Sequence, residues 1–223
     1  EAVIVNTAGG VACGDVLAIS GRAESGAHLV LSTPAAEKIY RSDGPVARID
    51  VTLAAEAGAR LDWLPQETIL FDQARLHRRF EVDLAGTSRF LAFEALMLGR
   101  PAHGDLMSEG VLRDRWRVRR DGRLIFADAL RLEGPVAELL ARPTIAAGGR
   151  AMAQFLYVAP DAEARLEAAR ALLEGAESEC GASAWNGLLA VRFLAPRMET
   201  LRRDAASFLM GFREAPLPRV WAG

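Results

Sequence analysis

The chain has 223 residues, 51% hydrophobic and 25% charged, with a net charge of −2. That length supports one large domain or two small ones with a full core and no need of a covalent staple. The charge balance excludes a global field for nucleic acid or an anionic membrane, charges interrupt every apolar stretch before membrane-spanning length, and two distant cysteines (Cys13, Cys180) make no disulfide framework, which points to a reducing, cytoplasmic setting.

Residues 2–5 and 16–19 read as strands around the run Asn6-Thr7-Ala8-Gly9-Gly10-Val11-Ala12-Cys13-Gly14-Asp15. A phosphate-binding loop needs Lys-Ser/Thr after its last glycine and a helix behind it. Here Asp15 and a strand follow, so the run is a strand-to-strand turn that presents an acid. Because the chain opens on a strand, further sequence is expected ahead of Glu1. Residues 46–53 carry β-branched side chains between two turn signals, and residues 61–64 run into Pro65, which closes the strand or puts it at an edge. Residues 77–84 alternate, with Arg78, Phe80, Val82 and Leu84 inward and Arg78 at the mouth of that face. Residues 89–98 are apolar on both faces and read as an interior strand.

Asp121-Gly122 predicts a two-residue type I′ hairpin. The simple register pairs Val118 with Ile125 and Trp116 with Ala127, and sets Arg115 against Asp128 as a cross-strand ion pair. It also lays the stems of Arg113, Arg115, Arg117 and Arg119 over the opposite strand, with their heads in water. Two helices are expected late. One is capped by Asp161, carries Leu166, Ala169 and Leu173, and ends at Gly175. The other starts at Pro196 and carries Met198, Leu201, Ala205, Phe208 and Phe212 at 3–4 spacing. Strands at 154–158 and 188–193 lie around the first helix, the tail from Pro216 to Trp221 is too rich in proline for a helix, and no repeat of fixed period is visible.

No Gly-x-Ser-x-Gly, His-Glu-x-x-His or Cys-x-x-Cys motif occurs, and His28, His77 and His103 are scattered, so an enzyme lacks a visible nucleophile–base pair. What stands out is carboxylates in apolar segments. Glu94 interrupts the interior strand, and a buried carboxylate needs an ion pair, hydrogen bonds or a bound cation. An arginine partner and a water-lined or metal-carrying site both satisfy that demand. Glu67 precedes the apolar run Ile69-Leu70-Phe71 that ends at Asp72, and reads either as a turn cap or as a loop ligand. Glu37 reads as a surface charge on a helical turn. In Pro101-Ala102-His103-Gly104-Asp105 an imidazole and a carboxylate lie close together, solvated or as ligands.

Several segments together resemble the UreD (UreH) family of urease accessory proteins. They are Asn6-Thr7-Ala8-Gly9-Gly10 through Gly14-Asp15; Ser32-Thr33-Pro34-Ala35-Ala36-Glu37-Lys38-Ile39-Tyr40-Arg41-Ser42; Trp63-Leu64-Pro65-Gln66-Glu67-Thr68-Ile69-Leu70-Phe71-Asp72; Leu98-Gly99-Arg100; Asp114-Arg115-Trp116 to Asp121-Gly122; and Pro218-Arg219-Val220-Trp221. The resemblance implies a mainly β fold, with stacked sheets in a β-helix-like arrangement and two α-helices in the C-terminal half. It implies a single domain over residues 1–223, with an N-terminal segment of the full-length protein ahead of it. It also implies a maturation factor rather than an enzyme, one that binds apo-urease and UreF, reaches the GTPase UreG through UreF, and assists nickel insertion through an internal passage. Neither nucleic acid nor membrane is an implied partner. No tightly bound cofactor is implied, only Ni²⁺ in transit, and the expected waypoints are Asp15, Glu67, Asp72, Glu94 and His103. Ni²⁺ accepts carboxylate oxygen and imidazole, and scattered weak ligands let an ion leave where a closed cage would not. The alternative is a pure protein-interaction scaffold with no direct nickel contact. Cys13 stands where the family more often has Gly, and His103 and Asp105 where Met and Glu are more usual.

Overall fold

The computed structural model describes residues 1–100 and 104–221. Strand β1 (Ala2–Val3) leads through the glycine-rich turn into β2 (Val16–Ala23). From there the chain winds as a coil. Each turn lays one strand in one sheet and the next in the facing sheet: β2 then β3 (His28–Ser32), β5 (Ala47–Ala55) then β6 (Arg60–Leu64), β8 (Arg75–Leu84) then β9 (Arg89–Leu98). Successive turns pair in parallel, so Ile19, Val51 and Phe80 fall in one row and Leu31, Trp63 and Ala92 in another. Two short strands at the corners, β4 (Glu37–Ile39) and β7 (Thr68–Leu70), pair with each other. The register steps by 32 residues from Ile19 to Val51, by 29 from Val51 to Phe80 and by 36 from Phe80 to Trp116, so the turns differ in length and no fixed period shows in the sequence.

After the third turn β10 (Gly110–Arg120) joins β8 in parallel and β11 (Arg123–Gly134) folds back on it. A short helix, α1 (Val136–Ala141), crosses to β12 (Ala151–Val158), which pairs with β9. Helix α2 (Leu166–Leu172), β13 (Glu179–Trp185), β14 (Leu188–Ala195) and helix α3 (Met198–Arg213) complete the order. The stacked-sheet, mainly β expectation holds, with the two foreseen C-terminal helices and α1 in addition.

Strand β9 explains why its sequence is apolar on both faces. Phe90, Ala92, Leu96 and Leu98 point into the core between the two sheets, while Leu91, Phe93, Ala95 and Met97 point into a second core under α3. Pro65 ends β6, which is an inner strand paired with both β3 and β9.

Three expectations are corrected. The hairpin has its turn at Asp121-Gly122, both residues at positive φ, but a bulge between Val118 and Arg119 shifts the register by one. Val118 therefore pairs with Phe126, and Arg115 lies opposite Ala129 instead of Asp128; Arg115–Asp128 is not an ion pair, and Asp128 takes Arg192. Asp161 does not cap a helix. Its carboxylate accepts the Tyr157 hydroxyl at 2.9 Å, and α2 starts later, behind a 3₁₀ turn over Glu163–Arg165. Glu37 lies in strand β4, where its carboxylate accepts the Asn6 side-chain amide.

Candidate functional site

Parallel pairing of β8 with β10 puts Arg78 beside Asp114, and one row further Phe80 beside Trp116. All four point into the core between the sheets. Arg78 donates from Nε and Nη2 to Asp114 Oδ1 and Oδ2 at 3.0 and 2.5 Å. Across the gap, Glu94 of β9 reaches the same guanidinium, with Oε2 2.9 Å from Nη2. Trp63 of β6 donates Nε1–H to Glu94 Oε1 at 2.9 Å. Glu94, Arg78 and Asp114 are each only 5% exposed.

One guanidinium thus faces two carboxylates. Glu94 Oε2 lies near Nη2 but off the direction of a hydrogen bond, and has no hydrogen-bond partner among the described residues. Burial pushes the Glu94 carboxyl above the ordinary range; Arg78 pulls it down, and Asp114 adds to the upward push. Burial opposes the charge on Arg78, and the two carboxylates more than offset that, so its basicity is raised.

The three groups line the inner end of a cavity of about 540 Å³ between the sheets. Leu96, Leu132, Leu140 and Met152 supply apolar wall. At the more exposed end Arg192 of β14 donates to Asp128 of β11 at 2.8 Å and ties the two sheets together. Cys180, partly buried beside them, has its thiol pushed up by burial and by Asp204. Among the described residues no three His, Cys, Asp or Glu side chains gather as a metal-holding group, so the cavity offers a carboxylate pair and not a cage.

The family model described as UreD urease accessory protein matches residues 1–222. The chain belongs to the UreD family. It is 74% identical over 222 residues to the urease accessory protein UreD of Xanthobacter autotrophicus, covering 100% of this chain and 77% of that relative. It is 68% identical to the UreD of Azorhizobium caulinodans, covering 100% and 82%, and 56% identical to UreD 3 of Methylorubrum extorquens, covering 99% and 75%. The chain therefore has a role in urease maturation.

In this UreD chain the carboxylates singled out from the sequence lie apart. Glu94 borders the cavity. Asp15 sits in the exposed turn and accepts the Ala12 N–H at 2.8 Å. Glu67 lies toward α3, paired with Arg202 at 3.2 Å. Asp72 accepts the Ser108 N–H and hydroxyl at 2.7 and 2.8 Å. Burial raises its pKa, but those bonds and the Glu109 and Gln73 amides outweigh it and hold the carboxyl below its ordinary range. His103 falls outside the described residues. Asp105 pairs with Arg100.

Asp114 is the functional candidate that sequence reading missed. The signal was present, because Asp114 shares its period-two face with Leu112, Trp116 and Val118, all buried. A second missed acid, Asp62, is fully buried and held by Arg60 and Arg213.

The glycine-rich turn is a tight fit and not a cradle. A Cβ on Gly10 would stand 2.4 Å from the Tyr40 ring and 2.9 Å from the Lys38 carbonyl oxygen. The Val11 N–H donates to that same oxygen, so the backbone has little room to yield. Gly10→Ala is expected to destabilise the UreD fold by about 1–3 kcal/mol, the range for forcing an extra group into a packed site. Gly26→Ala would meet nothing within 4 Å and tests only the positive φ of that residue. Thermal melts of the two variants separate crowding from backbone strain.

Proposed function

We propose that this chain is a urease maturation factor that assists nickel insertion: a non-enzymatic scaffold and metallochaperone that binds apo-urease and UreF in the cytoplasm, with UreG brought in through UreF. The cavity between the sheets is a segment of the internal passage for Ni²⁺. One observation carries the reading: Glu94 lines the cavity, and its buried oxygen Oε2 has no hydrogen-bond partner among the described residues. Carboxylate oxygen is a suitable ligand for Ni²⁺, and two carboxylates that share the Arg78 guanidinium bind an ion more loosely than a closed cage would. Asp15, Glu67 and Asp72 remain candidate contacts outside this cavity, and His103 remains a candidate contact.

A second reading has its own support. Arg78 pairs with Glu94 and Arg202 with Glu67, so both acids have structural partners, as a scaffold that never touches nickel would require. The Glu94→Ala variant separates the two. On the passage reading it still co-purifies with UreF and apo-urease, while the nickel content of matured urease drops about tenfold or more, the scale of loss when a metal site's supporting groups are removed. Full nickel loading with Glu94→Ala leaves the scaffold reading standing.

A further inference from the structure

Arg78 stands where an ion entering the cavity would be held. Its guanidinium is as deeply buried as the two carboxylates and does not shed its proton. It is fixed on β8, which has β5 on one side and β10 on the other, so it cannot swing out to solvent without disturbing the centre of its sheet. It spends Nε and Nη2 on Asp114 and meets Glu94 Oε2 with the same Nη2. With both acids ionised the group carries one unmatched negative charge, on side chains that line the cavity. A purely structural arrangement would close Glu94 with a second donor on Oε2; instead Trp63 satisfies Oε1 alone.

We infer that Arg78 is a tethered counter-cation, competing with a divalent metal ion for the oxygens of Glu94 and Asp114 so that the ion is held weakly and released. The inference rests on the passage reading above. Two acids in one low-dielectric site without a resident cation would bind a divalent ion tightly and retain it. A single acid closed by one guanidinium would offer the ion no net charge. Two acids against one guanidinium lie between these limits, as a transit site requires.

The test is Ni²⁺ binding to the full chain by isothermal titration calorimetry, supplied as the metal salt alone. Arg78→Met is expected to bind Ni²⁺ at least tenfold more tightly than the wild type, and Arg78→Met/Glu94→Gln to lose that gain. Arg78→Lys keeps the charge but cannot fork across Asp114. It is expected to bind about threefold more tightly than wild type, and it decides the matter if the methionine variant does not fold. Tighter binding in either variant supports the proposal, including the case in which the wild type shows no measurable binding. Unchanged or weaker binding in the folded variants overturns it. If the wild type still binds Ni²⁺ and Glu94→Ala still starves urease of nickel, the passage reading survives and only the role of Arg78 falls. If no variant binds Ni²⁺ and Glu94→Ala loads urease fully, both fall.

Discussion

Replacing Arg78 with Met is expected to lower the stability of the fold by about 3–5 kcal/mol, the loss seen when one partner of a buried ion pair is removed and the other left uncompensated. Methionine fills much of the arginine stem's volume, so the loss is electrostatic and not a cavity effect. Against a typical domain stability of about 5–15 kcal/mol this is a large fraction. Arg117→Met on β10, one of the exposed arginines of the ladder, is expected to change stability by no more than about 0.5 kcal/mol.

The same variant carries a signature in pH. In the native protein burial already raises the Glu94 carboxyl, so the folded chain binds that proton more tightly than the unfolded chain. Above the ordinary carboxylate range this linkage makes unfolding easier as pH rises, up to the raised folded value. Removing Arg78 takes away the influence that pulls Glu94 down, and the window extends upward. The deficit of Arg78→Met relative to wild type should therefore shrink as the pH falls through the raised Glu94 value toward the ordinary carboxylate range, where the carboxyl takes up its proton. Asp72 and Asp204, whose carboxyls are held low, lose their contributions on acidification in both proteins and cancel in the difference. Urea unfolding at several pH values measures it. A deficit that stays constant or grows on acidification would show that Glu94 does not carry the unmatched charge.

How much of this site the sequence disclosed follows from what period-two patterning records. Alternation in β8 put Arg78 on the buried face beside Phe80, and the doubly apolar β9 marked Glu94 as an acid that needed a partner. The same rule applied to β10 would have put Asp114 on the face of Trp116, but the arginines of that strand drew the reading and Asp114 was missed. Alternation says which side of a strand a residue takes; it does not say which strand lies alongside or across. The Arg78–Asp114 pair exists because β8 and β10 are parallel neighbours, thirty-odd residues apart in the chain, and Glu94 joins them only when the coil brings β9 opposite. The hairpin shows the same limit at shorter range. Its turn dipeptide was legible, but the bulge near Ile125 was not, and one extra residue moved Asp128 from Arg115 to Arg192. Glu67 and Asp72 flank a corner strand, where no alternation applies and the partner depends on where α3 and the loop near Ser108 settle.

Helix α3 was the most legible element, and it supports the second large prediction. Phe208 is fully buried, edge-on to Phe155 of β12 at 5.0 Å and Phe193 of β14 at 5.8 Å, and stacked on Phe212 at 5.5 Å. Phe208→Ala is expected to cost about 3–5 kcal/mol, the range for truncating a buried aromatic whose surroundings relax only partly. Met210 on the outer face is 48% exposed, and Met210→Ala should fall within about 0.5 kcal/mol of wild type. The helix also holds polar links at both ends. Arg202 pairs with Glu67 and donates to the Trp221 carbonyl, and Arg213 holds the fully buried Asp62. Loosening α3 thus removes a partner of Asp62 as well as apolar contact. Strand β12 separates this layer from the cavity, with Phe155 and Tyr157 under the helix and Met152 and Gln154 facing the cavity. A Phe208→Ala protein that is still folded at low temperature should therefore bind Ni²⁺ with wild-type affinity while melting well below the wild type. A parallel loss of Ni²⁺ affinity would mean that the two cores are mechanically coupled through β12, and that α3 sets the geometry of Glu94 from the far side of the sheet.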